Sequence, residues 1–422
     1  MTDQPSGKQP PSVRIFGKTE SAPAYAIRDF LHRGDVAFEW TELKNDEQAR
    51  EVGVENLSDQ RLPVCIFPDG TRMEAPTIRR ITEKLGWFRD PSRSEYDLAI
   101  YGAGPAGLSA AVYGASEGLR TVVIERSVVG GQAGTSSKIE NYLGFPQGIS
   151  GADLAKAARE QACRFGAEIL MLREGVRGEF HPGKGVGYLA DGTKIVAHAT
   201  ICATGVAYRH LNLPNEDRFQ GIGVYYGAGS SEARLCGGEH IFVVGGGNSA
   251  GQAVMYFAGY ARKVTMVIRG DGLEQTLSQY LVDRILALPQ IEVLTHTEVT
   301  ALHGEEALSG ITLTNNKTSQ QQTFNTKWLF LCLGGVPHTE WAKEVGITRD
   351  TAGYLVTGPD LARDGRYPKN WPLERAPYYL ETSMPGLFAA GDVRHDSVKR
   401  CASAVGEGAM AVTFVHRYLA HS

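Results

Sequence analysis

No two of the six cysteines, Cys65, Cys163, Cys202, Cys236, Cys332 and Cys401, fall in a C-x-x-C spacing. A disulfide framework or a compact zinc site is therefore not expected. No run of eighteen apolar residues occurs, so no membrane helix is expected either. An excess of one charge is also missing. The 43 Lys and Arg residues nearly balance 47 Asp and Glu, and no dense basic stretch argues for a nucleic-acid partner. Proline is scarce, at 19 residues, against 50 glycines in 422. The glycines follow no G-x-y period but gather in short clusters, which points to backbone lying close to ligands. The opening MTDQPSGKQPPS is polar and lacks the apolar core of a signal peptide. Residues 1–12 are expected to form a disordered tail, and the protein is expected to be cytoplasmic.

The length suggests about three domains. In the first, residues 13–87, Val13–Phe16 reads as a strand, Ala24–Leu31 has helical spacing, and Val36–Trp40 alternates as a second strand. Leu62–Phe67 reads as a third strand, followed by the turn Pro68-Asp-Gly70 and a helix over Pro76–Leu85. This order, with Pro63 opening the third strand, resembles a glutaredoxin or thioredoxin fold. The resemblance implies a cysteine pair at the start of the first helix, where this chain has Ser21 and Ala24. A serine hydroxyl cannot replace a thiolate that must attack and leave easily. The segment is thus expected to be redox-inert, a docking or dimerisation module, with residues 88–95 as a linker.

Two dinucleotide fingerprints follow. Tyr96–Tyr101 reads as a strand running into Gly102, Gly104, Pro105, Ala106 and Gly107. A helix over Leu108–Gly118 comes next, then a strand Thr121–Ile124 ending at Glu125 and Arg126. The glycines allow a tight turn and let backbone N–H groups reach a pyrophosphate, which a helix N-terminus also favours. Glu125 stands where a carboxylate accepts ribose hydroxyls. The second copy has a strand Ile241–Val244, then Gly245, Gly247, Asn248, Ser249 and Ala250, with a helix to Ala258 and a strand Lys263–Ile268. Ile268 takes the place equivalent to Glu125, and Arg269 is next. Losing the acid and gaining a cation favours NADPH over NADH; a solvated strand-end arginine is the other reading. Two fingerprints imply two nucleotides, and the economical chemistry is hydride passing between a nicotinamide and a flavin.

From Tyr96 to Leu419 the sequence resembles the low-molecular-weight thioredoxin reductases, within the pyridine nucleotide-disulfide oxidoreductase superfamily. Gly130, Gly131 and Gln132, with Glu140 and Asn141, resemble the family's flavin-embracing loop. Ala203, Thr204 and Gly205 match its ATG element, and Gly334–Pro337 resembles its hinge. Phe388–Asp392, with Gly391 and Asp392, matches the element that holds the ribityl chain. Arg400, Cys401 and Ala402 take the Arg-Gln-Ala position beside the isoalloxazine. The resemblance implies an α/β fold with two Rossmann-like dinucleotide-binding domains, plus the thioredoxin-like α/β domain at the N-terminus. FAD would lie in 96–214 and 338–422, NADPH in 215–337, and the chain would pair as a homodimer.

One departure shapes the expected function. The family's redox cysteine pair falls in the stretch Gly221–Ser230, where Gly227 and Ser230 take the two positions. The expected activity is therefore an NADPH-dependent FAD oxidoreductase that passes electrons directly to an external small molecule or redox protein, with no dithiol. Two alternatives stay open: a disulfide reductase using another cysteine pair, and a silent FAD- and NADPH-binding sensor or scaffold. Cys202, Cys332 and Cys65 sit in apolar strands, Cys163 on a helix and Cys236 in a polar loop, while Cys401 is the one near the flavin by resemblance. His395 is either a proton source or a loop residue at the surface. Ala362–Tyr379, rich in Tyr, Trp, Arg and Pro, is a lid, a contact to the N-terminal domain, or a surface insertion.

Overall fold

A computed structural model of the chain describes residues 12–181, 183–227, 229–362, 365–368 and 371–421. The expected N-terminal tail thus lies almost wholly outside the described residues, as does the side chain of Ser230. The chain divides into two units. One joins Met1–Lys84 to Leu211–Cys332, and the other joins Leu85–His210 to Leu333–Ser422.

In the first unit, α1 (Ala22–Arg33) connects β1 (Val13–Gly17) to β2 (Phe38–Glu42), and the two strands pair in parallel. Ser21 caps α1, accepting the N–H of Ala24 at 3.3 Å, and Pro23 sits in the first turn, where its missing N–H costs nothing. The short α2 (Asp46–Glu51), capped by Asn45, leads to β3 (Val64–Ile66), β4 (Arg72–Glu74) and α3 (Ile78–Lys84). The sheet order is β2-β1-β3-β4, with the last two pairings antiparallel. The Leu62–Pro63 peptide is cis. Sequence periodicity missed α2 and β4, since six and three residues hold too little pattern to read.

The second unit begins with β5 (Tyr96–Tyr101), α4 (Pro105–Ser116) and β6 (Thr121–Glu125). Thr121–Glu125 is buried throughout, as a parallel strand covered on both faces must be. Then come α5 (Gly151–Arg164), β7 (Glu168–Met171), β8 (Gly175–His181), β9 (Lys184–Leu189), β10 (Lys194–Cys202) and β11 (Ala207–Tyr208). The sheet runs β7-β6-β5-β10-β9-β8, parallel around β5 and antiparallel across β8–β9–β10.

The chain re-enters the first unit with α6 (Glu216–Phe219), β12 (Val224–Tyr226), β13 (His240–Val244), α7 (Asn248–Phe257) and β14 (Lys263–Val267). It continues through α8 (Gln279–Ala287), β15 (Ile291–Leu294), β16 (Thr297–His303), β17 (Gly310–Asn315), β18 (Gln321–Asn325) and β19 (Leu329–Leu331). These build a parallel sheet ordered β12-β19-β13-β14-β15 and an antiparallel one ordered β16-β17-β18. Tyr225, Ile241, Val243, Val254, Phe257, Met266 and Phe330 fill the core against α7 and α8. The second unit closes with β20 (Gly335–Val336), paired to β11, then α9 (Glu340–Glu344), β21 (Leu387–Ala389) beside β10, and α10 (Cys401–Leu419) packed on α4. Among the described residues no helix is long and apolar enough to cross a membrane.

Candidate functional site

In the second unit the glycine-rich turn sits at the C-terminal ends of β5 and β10, where open α/β sheets take their ligands. Gly102 has φ of +105°, and a Cβ there would lie 2.4 Å from the carbonyl oxygen of Ala203. A Cβ on Gly107 would lie 1.8 Å from the carbonyl oxygen of Gly102, so only glycine lets α4 start this close to β5. Gly104 is different. A Cβ would find its nearest neighbour at 3.9 Å, the Cα of Gly131, so this backbone is bare and open. Gly130 donates its N–H to the Ala103 carbonyl at 2.8 Å, which holds the Gly131–Gln132 loop against the turn. Gln132 in turn donates to the Val206 carbonyl at 2.8 Å, next to Thr204 and Gly205.

α10 completes the cradle. A Cβ on Gly408 would lie 2.1 Å from the Ala106 carbonyl oxygen, and Ser109 donates to the Val405 carbonyl at 2.7 Å, so α10 and α4 touch at backbone distance. Arg400 is the exposed N-cap of α10, with Cys401 and Ala402 in the first turn. The Gly391 N–H is bound by Glu407 at 2.7 Å, and Glu407 also takes two hydrogen bonds from Arg394. Burial pushes the Asp392 carboxyl up, with Lys399 opposing the shift. Lys399 donates to the Asp392 carbonyl at 2.7 Å and lies 4.1 Å from the centre of the Tyr354 ring. Sequence reasoning overlooked Glu407 and Lys399. Glu407 had a signal, as the one acid in the apolar helix Cys401–Leu419.

The turn therefore fits a dinucleotide: a bare Gly104, a helix N-terminus with no side-chain cap among the described residues, and Gly131, Gly391 and Arg400 gathered on the same unit. The Glu125 carboxylate is buried, accepting the Ala103 N–H and the Ser127 N–H, each at 2.8 Å. An ionised carboxylate has further lone pairs for ribose hydroxyls, but its first task here is to fix the turn. Arg126 and Asn141 are exposed beside these elements.

The second fingerprint repeats the construction on the first unit. Gly245 has φ of +137°, and a Cβ there would lie 2.3 Å from the Cys332 carbonyl oxygen, while Gly247 has open space around it. Asn248 opens α7, and its side-chain oxygen accepts the Ser278 N–H at 2.7 Å. Its Nδ2 is buried without a partner among the described residues, a donor that a bound phosphate would satisfy. Ser249 is exposed and Ala250 is fully buried. Arg269 is exposed just past β14, and its carbonyl accepts from Asn316 at 3.1 Å. Lys317, next to Asn316 in the turn joining β17 to β18, pairs with Asp271 at 3.1 Å. This second cation has no signal in the sequence, because the hairpin turn is distant in the chain.

The cysteines are all unpaired. Burial pushes the thiols of Cys65 and Cys332 up to about 12 and that of Cys401 up to about 11. Cys202 and Cys236 are shifted upward for the same reason. Cys236 is not in a polar loop as expected. It ends the short helical turn Ser230–Cys236, whose Ala233 and Cys236 face the core, and its thiol reaches the Glu232 carbonyl at 3.5 Å. His395 is half-buried, with Nδ1 2.7 Å from Asp350. Burial alone would raise the Asp350 carboxyl, but hydrogen bonds from His395, Tyr354 and Ala352 outweigh it and hold it low. In the Tyr- and Trp-rich segment, Arg375 binds the fully buried Glu381 in two hydrogen bonds of 2.6 and 2.9 Å and stacks on Tyr378. Among the described residues no cluster of His, Cys, Asp and Glu could hold a metal ion.

Comparison with known proteins agrees with this construction. The profile of the pyridine nucleotide-disulphide oxidoreductases matches residues 96–408. Thioredoxin reductase of Bacillus subtilis is 34% identical over 326 residues, which is 77% of this chain and 95% of that protein. The Mycolicibacterium smegmatis enzyme is 33% identical over 335 residues, covering 78% and 98%. Among solved structures, Lactococcus lactis thioredoxin reductase superposes with a TM-score of 0.68 at 27% identity, covering 78% of this chain and all of that one.

Proposed function

The chain belongs to the pyridine nucleotide-disulphide oxidoreductase family, as a thioredoxin reductase-like, FAD-dependent NAD(P)H oxidoreductase, and on that premise we propose that its electrons reach an external acceptor directly from the flavin. The acceptor is a small molecule or a redox protein, and no dithiol of this chain lies in the path. The observation that carries this reading is the stretch Gly221–Ser230, with Gly227 and Ser230 where relatives of this type hold sulfur and no C-x-x-C anywhere else. The raised thiols of Cys65, Cys332 and Cys401 support it, because the thiolate is the reactive form and is scarce at neutral pH.

The family uses FAD and NADPH, and bound flavin supplies a ring that accepts a hydride and releases electrons to a second substrate. The residues at hand divide the work of holding these groups. In the FAD domain, 96–214 and 338–422, Gly104 and the N-terminus of α4 take the pyrophosphate and Glu125 the ribose. Asp392 takes the ribityl chain, and Arg400, Cys401 and Ala402 flank the ring. In the NADPH domain, 215–337, Gly247 and Asn248 Nδ2 take the pyrophosphate and Arg269 the 2′-phosphate. The first domain, 13–87, is thioredoxin-like: its β2-β1-β3-β4 order, with the fourth strand antiparallel, supports that assignment. We place the protein in the cytoplasm as a homodimer.

Anaerobic mixing tests the reading. NADPH should bleach the flavin far faster than NADH, and no bleaching with either would overturn it. Arg269→Ala should slow NADPH alone. A charge-assisted bond to phosphate is worth roughly 1.5–3 kcal/mol, so the preference should drop by about ten- to a hundredfold. Equal losses with both nucleotides would remove Arg269 from the site.

A further inference from the structure

The first 84 residues and the segment Leu211–Cys332 form one compact unit, and the contact between them is built around the stretch that lacks sulfur. α1 supplies one face of the contact, through Ala22, Tyr25 and Arg28, spaced to lie along one side of the helix. Gly221 has φ of +76°, and a Cβ there would lie 2.7 Å from the Tyr25 ring and 3.5 Å from the Ala22 Cα, so glycine is what admits the helix end. Tyr25 meets Tyr225 edge to face at 5.0 Å, and Tyr225 stacks in turn on Trp328 and Phe330. Further along, Arg28 binds Glu232 through Nη2 at 2.8 Å and Nε at 3.3 Å, both side chains buried from solvent, and its guanidinium lies over the Trp40 ring at 4.2 Å. Lys327 and Glu20, both exposed, close the rim at 2.6 Å. An aromatic centre, a desolvated charge pair and a polar rim are the anatomy of a specific, lasting interface.

We propose that the N-terminal domain is a permanent occupant of this face: a unit of thioredoxin-like fold without a cysteine pair, its single Cys65 buried in β3, seated by its own α1 end against Gly221–Glu232. A soluble dithiol protein would have to approach the same stretch to exchange thiols there. The helix end that docks carries Ser21 and Ala24, the positions at which that fold bears its cysteines, so the seat is held by a domain that cannot accept electrons. The face is therefore closed to dithiol proteins, and electrons leave the protein elsewhere. This inference rests on the direct-transfer reading above for its functional consequence, but the docking itself is separately observable.

The test uses full-length holoenzyme. Amide hydrogen exchange over 221–236 and over 20–32 should be slower by at least about a hundredfold than in exposed turns, at the level of the unit's core strands. Glu20→Cys/Lys327→Cys, joined by a short bismaleimide and verified by peptide mass spectrometry, locks the domain in place. Locked protein should oxidise NADPH with a small quinone within about twofold of the unlocked rate, and oxidised thioredoxin added to either form should stay oxidised. Fast exchange over 221–236, a tenfold loss of quinone reduction on locking, or thioredoxin reduction by the unlocked form would each overturn the proposal. If neither form oxidises NADPH with any acceptor, direct transfer fails, while slow exchange would still show the docked domain.

Discussion

Gly107→Ala should yield protein without its yellow colour. An added Cβ would stand 1.8 Å from the Gly102 carbonyl oxygen, a distance no real pair of atoms tolerates, so α4 must move away from β5. The N–H groups at its start then no longer converge with Gly131 and Gly391. Flavin content, read from the visible-to-ultraviolet absorbance ratio, should fall by about tenfold or more, which corresponds to roughly 1.4 kcal/mol of lost binding or beyond. Gly104→Ala separates the fold from the ligand. Beyond its chain neighbours, the nearest described atom to its Cβ is the Gly131 Cα at 3.9 Å, so the chain should fold with normal circular dichroism and still lose flavin. Retention of full flavin by Gly107→Ala would show that the first fingerprint is not the FAD site.

Arg28→Ala should bring the largest stability loss of any single exchange in the first unit. It leaves Glu232 buried without its cation, and stranding one member of a buried pair costs about 3–5 kcal/mol. The first thermal transition should drop by roughly 10 °C, given that about 1 kcal/mol moves a domain of this size by 2–4 °C. The defect should depend on pH. Burial already raises the Glu232 carboxyl, with Arg28 opposing it, so removing Arg28 raises it further. A carboxyl that is raised in the folded state is stabilising when protonated, and that contribution is lost as pH rises above the unfolded value. Measured against the parent at each pH, the deficit should shrink toward mildly acidic conditions and be largest at neutral and alkaline pH. Glu232→Gln should lose stability without that pH dependence. A deficit that is flat with pH in Arg28→Ala would mean that Glu232 is not the group left stranded.

Local chemistry was legible where it repeats over consecutive residues. The strand Tyr96–Tyr101, the two glycine turns and the strands after them could be read because parallel strands and phosphate turns leave contiguous signals. Sequence pattern starts α4 three residues late, because Gly107 and Pro105 mask a first helical turn that both favour for packing and capping reasons. Gly237 and Gly238 make the neighbourhood of Cys236 read as a loop, whereas a short helical turn points it into the core. Contacts between distant residues were out of reach. Arg28 and Glu232 are 204 residues apart, and nothing in either neighbourhood marks a charge that will be buried. Lys399 and Glu407 were hidden for a related reason: each acts on the backbone of Gly391–Asp392 from a different stretch of chain.

The central claim is that sulfur has no part in the electron path, and counting electrons tests it most directly. Anaerobic titration of the holoenzyme with dithionite, followed by flavin absorbance, should reach full reduction at two electrons per FAD, with bleaching from the first addition. Uptake of two further electrons per FAD, together with the appearance of two titratable thiols, would place a disulfide in the path and contradict the account.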